Sequence, residues 1–211
     1  MGIEERRERE KAKRRSDILE ASKALFFTKG FRDTTIDDIA RSTELARGTI
    51  YLYFENKEEI YATILEDGLD TLLGLIRASY ASDTDPLTNL LNGHDAFLRF
   101  HDEHPQYYAV LMLERLQISD CLPAQLKERI QAKTQGMVTA ISRVLQEGVD
   151  AGFFRPMPIE QVAMLQMGIS MGFVQMMEKC GGPAEGIATR AEAREVLHDL
   201  IANGVMTRKR T

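Results

Sequence analysis

TTIDDIARSTELARGTIYLYFENKEEI, residues 34–60, sets two short apolar-periodic segments on either side of STELA and ends on a charged run that opens a third. Thr35 precedes IDDIAR, in which Ile36, Ile39 and Ala40 share a face at helical spacing. Thr35 to Asp38 has the Thr–x–x–acid spacing of a capping box, here with the shorter acid. The next segment predicts a helix over 47–54, with Ile50 and Phe54, four apart, on the inward side. Asn56 ahead of Lys57-Glu58-Glu59 reads as an N-cap followed by acids in the first turn, where the helix dipole favours them. Helices this short are marginal alone and require a neighbour. The preceding helix supplies one: Ile18, Ala21, Leu25 and Phe26 line one side, Lys29-Gly30 ends it, and Phe31 fills the gap. A three-helix unit whose last pair forms a helix-turn-helix follows, a geometry that can set its final helix in a DNA major groove. A purely structural αα-corner is the alternative the pattern leaves open.

Outward from this stretch the periodicity stays helical, with no sustained period-two alternation. Ile60, Ile64, Leu65, Leu69, Leu72, Leu73 and Ile76 form the apolar stripe of a long fourth helix. Pro86 fits the first turn of a new helix after Asp85, and His104-Pro105 breaks it. A long helix then runs to about Ala151 and stops at Gly152 and Pro156. Residues 159–179 and about 188–206 are two more, separated by CGGPAEGI. The fold class is all-α with about nine helices.

Composition narrows the function. The chain has 211 residues, 44% hydrophobic and 28% charged, and no apolar run of the roughly 20 residues a membrane span needs. MGIEERREREKAKRR lacks the apolar stretch of a secretory signal, and Arg6 stands where myristoylation wants Ser or Thr. Cys121 and Cys180 have no metal-type spacing, which points to a reduced, cytoplasmic protein. Net charge is −5, unevenly spread: residues 1–57 carry 13 Lys/Arg against 11 Asp/Glu, and the remainder carries 14 against 21. The amino-terminal quarter is therefore the part suited to a polyanion. No Ser-His-Asp order, phosphate-binding glycine loop or paired-carboxylate spacing argues for an enzyme. His94, His101 and His104 lack the companions of a metal site, Cys121 has no identifiable partner as a nucleophile, and no cofactor is implied. The alternating charges of residues 6–15 read as a solvated first helix, with a basic arm for the minor groove as the other reading.

The opening stretch resembles the DNA-binding motif of TetR-family transcriptional regulators, T-x-x-x-I-A-x-x-A-G-V-S-x-G-T-x-Y-x-Y-F-x-x-K-E-x-L. Thr35, Ile39, Ala40, Gly48, Thr49, Tyr51, Tyr53, Phe54, Lys57 and Glu58 match it, with Ile60 for the final Leu. The chain departs from the pattern at Thr43-Glu44-Leu45-Ala46, where the family often has A-G-V-S. Leu45 keeps the apolar plug. Glu44 replaces glycine, so the turn either carries a positive φ or changes shape. Ala46 removes a capping hydroxyl.

The resemblance implies a helix-turn-helix DNA-binding domain over 1–57 and a ligand-binding and dimerisation domain over 58–211. The DNA-binding candidates are Thr34, Thr35, Arg47, Gly48, Thr49, Tyr51, Leu52, Tyr53 and Lys57. Gly48 allows close approach, Arg47 suits a guanine edge or a phosphate, and Thr49 and Leu52 face base edges. Tyr53, Lys57, Thr34 and Thr35 suit phosphates. Each has a structural alternative, and Tyr51 falls between the two faces. By the same resemblance the ligand-facing candidates are Phe97, Phe100, His101, Tyr107, Tyr108, Met112, Gln117, Met137, Met167 and Met171. Gly168 and Gly172, amid Met164, Met167, Met171, Met176 and Met177, suit either a partner helix or an ordinary core. The expected protein is a homodimer, joined through the last two helices, that binds a pseudo-palindromic operator in double-stranded DNA. It acts as a repressor released by a small, largely apolar inducer. A helical interaction module without DNA binding and an unrecognised all-α enzyme are the alternatives.

Overall fold

The computed structural model of the chain describes residues 2–114, 122–179 and 190–206. The described residues form α1 (Ile3–Lys29), α2 (Ile36–Ser42), α3 (Arg47–Ile50), α4 (Lys57–Ala78), α5 (Pro86–Glu103), α6 (Pro105–Ala109), α7 (Ala124–Asp150), α8 (Ile159–Lys179) and α9 (Arg190–Val205). A π-helical turn, Val110–Glu114, continues α6. One isolated antiparallel bridge joins Phe154 to Met206, and among the described residues no strand forms. The all-α expectation holds. By packing, the chain divides into two compact units, Met1–Leu69 with His104–Ala132 and Asp70–Glu103 with Lys133–Thr211.

The first unit is built on three aromatic rings. Phe26 of α1, Phe31 of the following loop and Tyr61 of α4 meet at centroid separations of 4.9–5.6 Å in tilted and edge-on arrangements, the geometry ring quadrupoles favour. Around them Ile18, Ile36, Ile39, Ile50, Phe54 and Ile60 are buried. These are the apolar positions that helical spacing assigns to the inside. At Gly30, φ is 80°, a conformation that costs glycine nothing. Its N–H closes α1 on the Phe26 carbonyl at 2.9 Å.

The STELA turn keeps its shape by straining one residue. Leu45 N–H donates to the Ala40 carbonyl at 2.9 Å and Glu44 N–H to that of Arg41 at 3.3 Å, which is the paired closure of a Schellman motif. The left-handed position of that motif falls on Glu44, the only non-glycine residue with positive φ, 55°, among the described residues. The third helix is shorter than expected. Only Arg47–Ile50 is regular α-helix, and the chain then tightens through Leu52 N–H to Thr49 O and Tyr53 N–H to Ile50 O. No side chain at Ala46 caps its start, and three-residue closures are the usual end of so short a helix.

In the second unit, Leu90, Val138, Ile141, Leu145, Phe154 and Ile201 are the centre of a core drawn from α5, α7, α8 and α9. Phe154 lies so close over Gly148 that any side chain there would overlap the ring. Arg155 fastens the loop to the end of α9, its N–H on the Val205 carbonyl at 2.9 Å and its Nε on that of Gly204 at 3.0 Å.

Glu44→Gly relieves the positive φ without touching a core contact. Its stability in urea is expected to rise by about 1 kcal/mol. An unchanged or lowered midpoint would show that the turn is not strained.

Candidate functional site

The two helices of the turn are held from below and expose a polar upper surface. Thr35 caps α2 reciprocally: its Oγ1 accepts the Asp38 N–H at 3.1 Å, and Asp38 Oδ2 accepts the Thr35 N–H at 3.0 Å. With Lys29 at 3.2 Å as well, the Asp38 carboxyl is lowered to about 2, chiefly by the hydrogen bonds from Thr35. Thr35 stays exposed. Thr34 does not. It is fully buried, its hydroxyl donating to the Gly30 carbonyl at 2.8 Å, so in this conformation the side chain is turned away from the surface expected to meet phosphate. The β-branched residue fills the corner between α1 and α2.

On α3 and the tight turn that follows it, Ile50 and Phe54 point inward at 0% and 2% exposure, while Leu52 is 77% exposed and Tyr51 44%. Tyr51, which the spacing left undecided, is outward. Gly48 is exposed, and a Cβ built on it would meet nothing within 4 Å, so its surface is open to an approaching molecule. Thr49 and Tyr53 are half-buried at the edge. Arg47 projects from the first turn. Its Nη2 donates to the Tyr51 hydroxyl at 3.2 Å, and its Nη1 lies 3.5 Å from Asp37 Oδ2. These contacts raise the guanidinium pKa, the Tyr51 hydrogen bond first and the Asp37 charge second.

Lys57 lies beneath rather than on this surface. Its ammonium donates to the carbonyls of Phe31 and Thr34, both at 2.7 Å, and sits 4.2 Å from the Phe31 ring centre. Half-buried and engaged with these carbonyls, its side chain is a structural tie in this conformation.

The ligand-facing candidates fall into both packing units. In the first, Tyr108 is buried, Met112 half-buried, and the Tyr107 hydroxyl accepts a hydrogen bond from Lys23 of α1 at 3.1 Å. In the second, Phe97, Phe100 and Met137 are buried, Met167 and Met171 half-buried, and His101 Nδ1 is paired with Asp102 at 2.8 Å. Gln117, Cys121 and Cys180 lie outside the described residues. Among the described residues the second unit has open grooves of about 820 and 770 Å³, and none of the nine described candidates lines either. One groove runs along Asp95, Asp102 and Arg194, the other along Arg77, Tyr80 and Arg143.

Sequence reasoning overlooked Glu66 and Asp37. Glu66 accepts from Arg129 of α7 at 2.7 Å, and its second oxygen is buried without a hydrogen-bond partner among the described residues. The available signal was an acid directly after the apolar run Tyr61–Leu65 of α4. For Asp37 it was a second acid beside the one that completes the cap.

The last helices present an apolar surface. On α8, Met164, Leu165, Ile169 and Met176 are exposed, and on α9 Val196 and Leu200. Gly168 and Gly172 lie on the same side of α8 with nothing within 4 Å of a Cβ. The opposite face of α8 is buried and partly polar. His94 of α5 reaches Gln166 Oε1 at 2.9 Å and Ser170 Oγ at 2.5 Å, and burial pushes its pKa down to about 4. Arg194 and Asp95 form a bidentate pair beside it.

Comparison with known proteins places this arrangement. Residues 18–64 match the family model of the bacterial regulatory proteins of the tetR family, and residues 86–205 match the tetracyclin repressor-like C-terminal domain. An uncharacterized HTH-type transcriptional regulator, YfiR of Bacillus subtilis, is 31% identical over 78% of this chain and 80% of its own length. The HTH-type transcriptional repressor KstR2 of Mycolicibacterium smegmatis is 30% identical over 69% of each. The crystal structure of a tetR-family bacterial regulatory protein from Rhodococcus RHA1 superposes with a TM-score of 0.75 at 21% identity, covering 93% of this chain and 99% of that one.

Two outcomes test the site's construction. Lys57→Met leaves two loop carbonyls without their donor and should cost about 2 kcal/mol in denaturant unfolding, a loss that a purely phosphate-directed lysine would not show. For Asp38, the folded carboxyl titrates below its ordinary value of 3.8. Its contribution to stability is therefore complete above that pH and lost as pH falls towards about 2. Asp38→Asn should be less stable than the parent at pH 6 and converge on it near pH 2. Parallel stability curves would refute the assignment.

Proposed function

We propose, from the premise that the chain belongs to the TetR family of bacterial regulatory proteins, that it is a homodimeric transcriptional repressor released from its operator by a small, largely apolar molecule. One observation carries the DNA-reading half. The α3 surface exposes Arg47, Gly48 and Leu52 while Ile50 and Phe54 pin the helix from beneath, which is the construction of a recognition helix. Residues 1–57 then act as the reading head and 58–211 as the ligand-binding and dimerisation part. Arg47 and Thr49 address base edges and Tyr53 the backbone, with Thr35 and Tyr51 at the rim.

Two heads are needed for two half-sites about 34–36 Å apart. The exposed apolar faces of α8 and α9 support pairing through the last two helices, since a surface of this kind marks an association site. Gly168 and Gly172 let a partner helix approach closely. Release requires only that the ligand bind the two head arrangements with different affinity. The methionine-rich segment of α8 and the aromatic residues of α5 supply adaptable apolar contacts, and α4, which starts at the head and continues to Ala78, is the proposed link. Among the described residues no helix is long and apolar enough to cross a membrane, and the reading places the protein in the cytoplasm, acting on DNA rather than on a chemical substrate.

A duplex taken from the promoter region beside the protein's own coding sequence tests this by gel shift at two salt concentrations. Binding should weaken at the higher salt, with log K falling by roughly one unit per log unit of salt for each phosphate contact. Leu165→Glu combined with Leu200→Glu should give a monomer in sedimentation and lose at least tenfold in operator affinity. Absent or salt-insensitive binding, or an intact dimer in the double variant, would sink the proposal.

A further inference from the structure

Asp37 and Asp38 are neighbours in the first turn of α2, and their surroundings are opposite. Asp38 completes the cap with Thr35 and pairs with Lys29. Asp37 caps nothing, and its one ion-pair partner among the described residues is Arg47, across the turn. The helix dipole rewards an acid in this turn, but Asp38 already collects that benefit. A carboxylate beside a helix meant for a polyanion opposes the phosphates, so Asp37 calls for a function of its own.

The Arg47 guanidinium shows what that function is. It is held at both ends, Nη1 by Asp37 Oδ2 at 3.5 Å from α2 and Nη2 by the Tyr51 hydroxyl at 3.2 Å from one turn further along α3. The carbon at its centre lies 5.8 Å from the Tyr51 ring centroid. A guanidinium has five N–H groups. Two are used here, and the remaining ones still suffice for two parallel bonds to the O6 and N7 of a guanine. Orientation is stricter for that contact than for a phosphate: O6 and N7 are fixed on the base edge, whereas the oxygens around a phosphorus let the fork dock from several directions. Both side chains of the ion pair are more than half exposed, and such a pair contributes little to folding. Its effect falls on binding.

We propose that Asp37 is a specificity-positioning residue: with Tyr51 it holds Arg47 as an oriented fork for a guanine edge and offsets the charge that would attach the helix to non-cognate phosphates. The inference rests on the DNA-reading proposal above. On non-cognate DNA the Asp37 charge cancels part of the attraction Arg47 offers. On a matched site the two contacts have already taken up part of the fork's rotamer freedom, so less is lost when it docks.

The test uses the full-length protein and a duplex enriched by the wild type from a randomised library, against a scrambled duplex of equal length and composition. Anisotropy titrations give the ratio of the two affinities. Asp37→Asn should tighten the scrambled duplex about fivefold, steepen its salt slope by about one unit, and lower the ratio. Asp37→Glu should restore most of it. Tyr51→Phe should lower the ratio by weakening the enriched duplex. In an Arg47→Ala background, Asp37→Asn should no longer move the ratio, which separates positioning from a general charge effect. Thermal melts of each variant identify any that has lost its fold, and Asp37→Glu and Tyr51→Phe give independent readings. Equal tightening of both duplexes by Asp37→Asn, or no change in either, overturns the inference and leaves the DNA-reading proposal standing. A library that enriches no duplex removes both.

Discussion

The ammonium of Lys57 ties the first residue of the long, apolar-striped helix α4 to the carbonyls of Phe31 and Thr34. Helices of seven and four residues such as α2 and α3 have no stability of their own, and their entry angle is set by the loop at residues 30–35. That loop offers outward carbonyls that need a donor. A lysine beginning α4 supplies one charge to two of them while lying against the Phe31 ring, which itself meets Phe26 and Tyr61. Movement of the first turn of α4 is thereby movement of the start of α2. Under the proposed ligand response, this tie is a route by which displacement of one helix reaches the other two without a hinge of its own.

A second contact extends the same logic. Lys23 of α1 donates to the Tyr107 hydroxyl of α6, above a ring packed against Gly68 of α4, where a Cβ would come within 3.0 Å of the ring. Glycine at 68 lets α6 settle against α4 closely enough for Tyr107 to reach α1. Tyr107 is then a strut between α6 and α1. The π-helical turn that follows, Val110–Glu114, is the kind of local irregularity that recurs at functional segments of helices.

The helices were legible because their signals are local. Thr35 to Asp38 announced a cap, Asp85-Pro86 a start and Gly152 a stop, and each depends on residues within one turn of chain. Inward positions at Ile50, Phe54, Ile39 and Phe26 followed from period alone. What the pattern missed depends on partners distant in sequence. Nothing near Lys57 says that carbonyls 23 and 26 residues earlier will claim its ammonium. A lysine in that place reads from the sequence as a phosphate ligand, and these acceptors give its side chain a structural use as well. Thr34 is a related case: a threonine beside a helix start has two possible uses for its hydroxyl, and in this fold it is buried on the Gly30 carbonyl. Glu44 shows the converse. The sequence raised the question of positive φ, and the Schellman closure around Leu45 answers it, because the hydrogen bonds and the Leu45 plug outweigh a strain of about 1 kcal/mol.

Helix α8 joins two demands that usually conflict. An association surface needs a helix whose register is fixed before the partner arrives, yet its outward residues are exposed Met, Leu and Ile with two glycines between them, and apolar packing alone tolerates sliding. The buried side resolves this with polarity. Neutral His94 finds one partner at Gln166 and another at Ser170, one turn apart on α8. Sliding α8 by a single residue would break both bonds and leave an imidazole without partners in a site that already disfavours its charge. The penalty for a wrong register is thus placed on the inner face, where hydrogen bonds are directional, and the outer face is left free to be smooth and apolar.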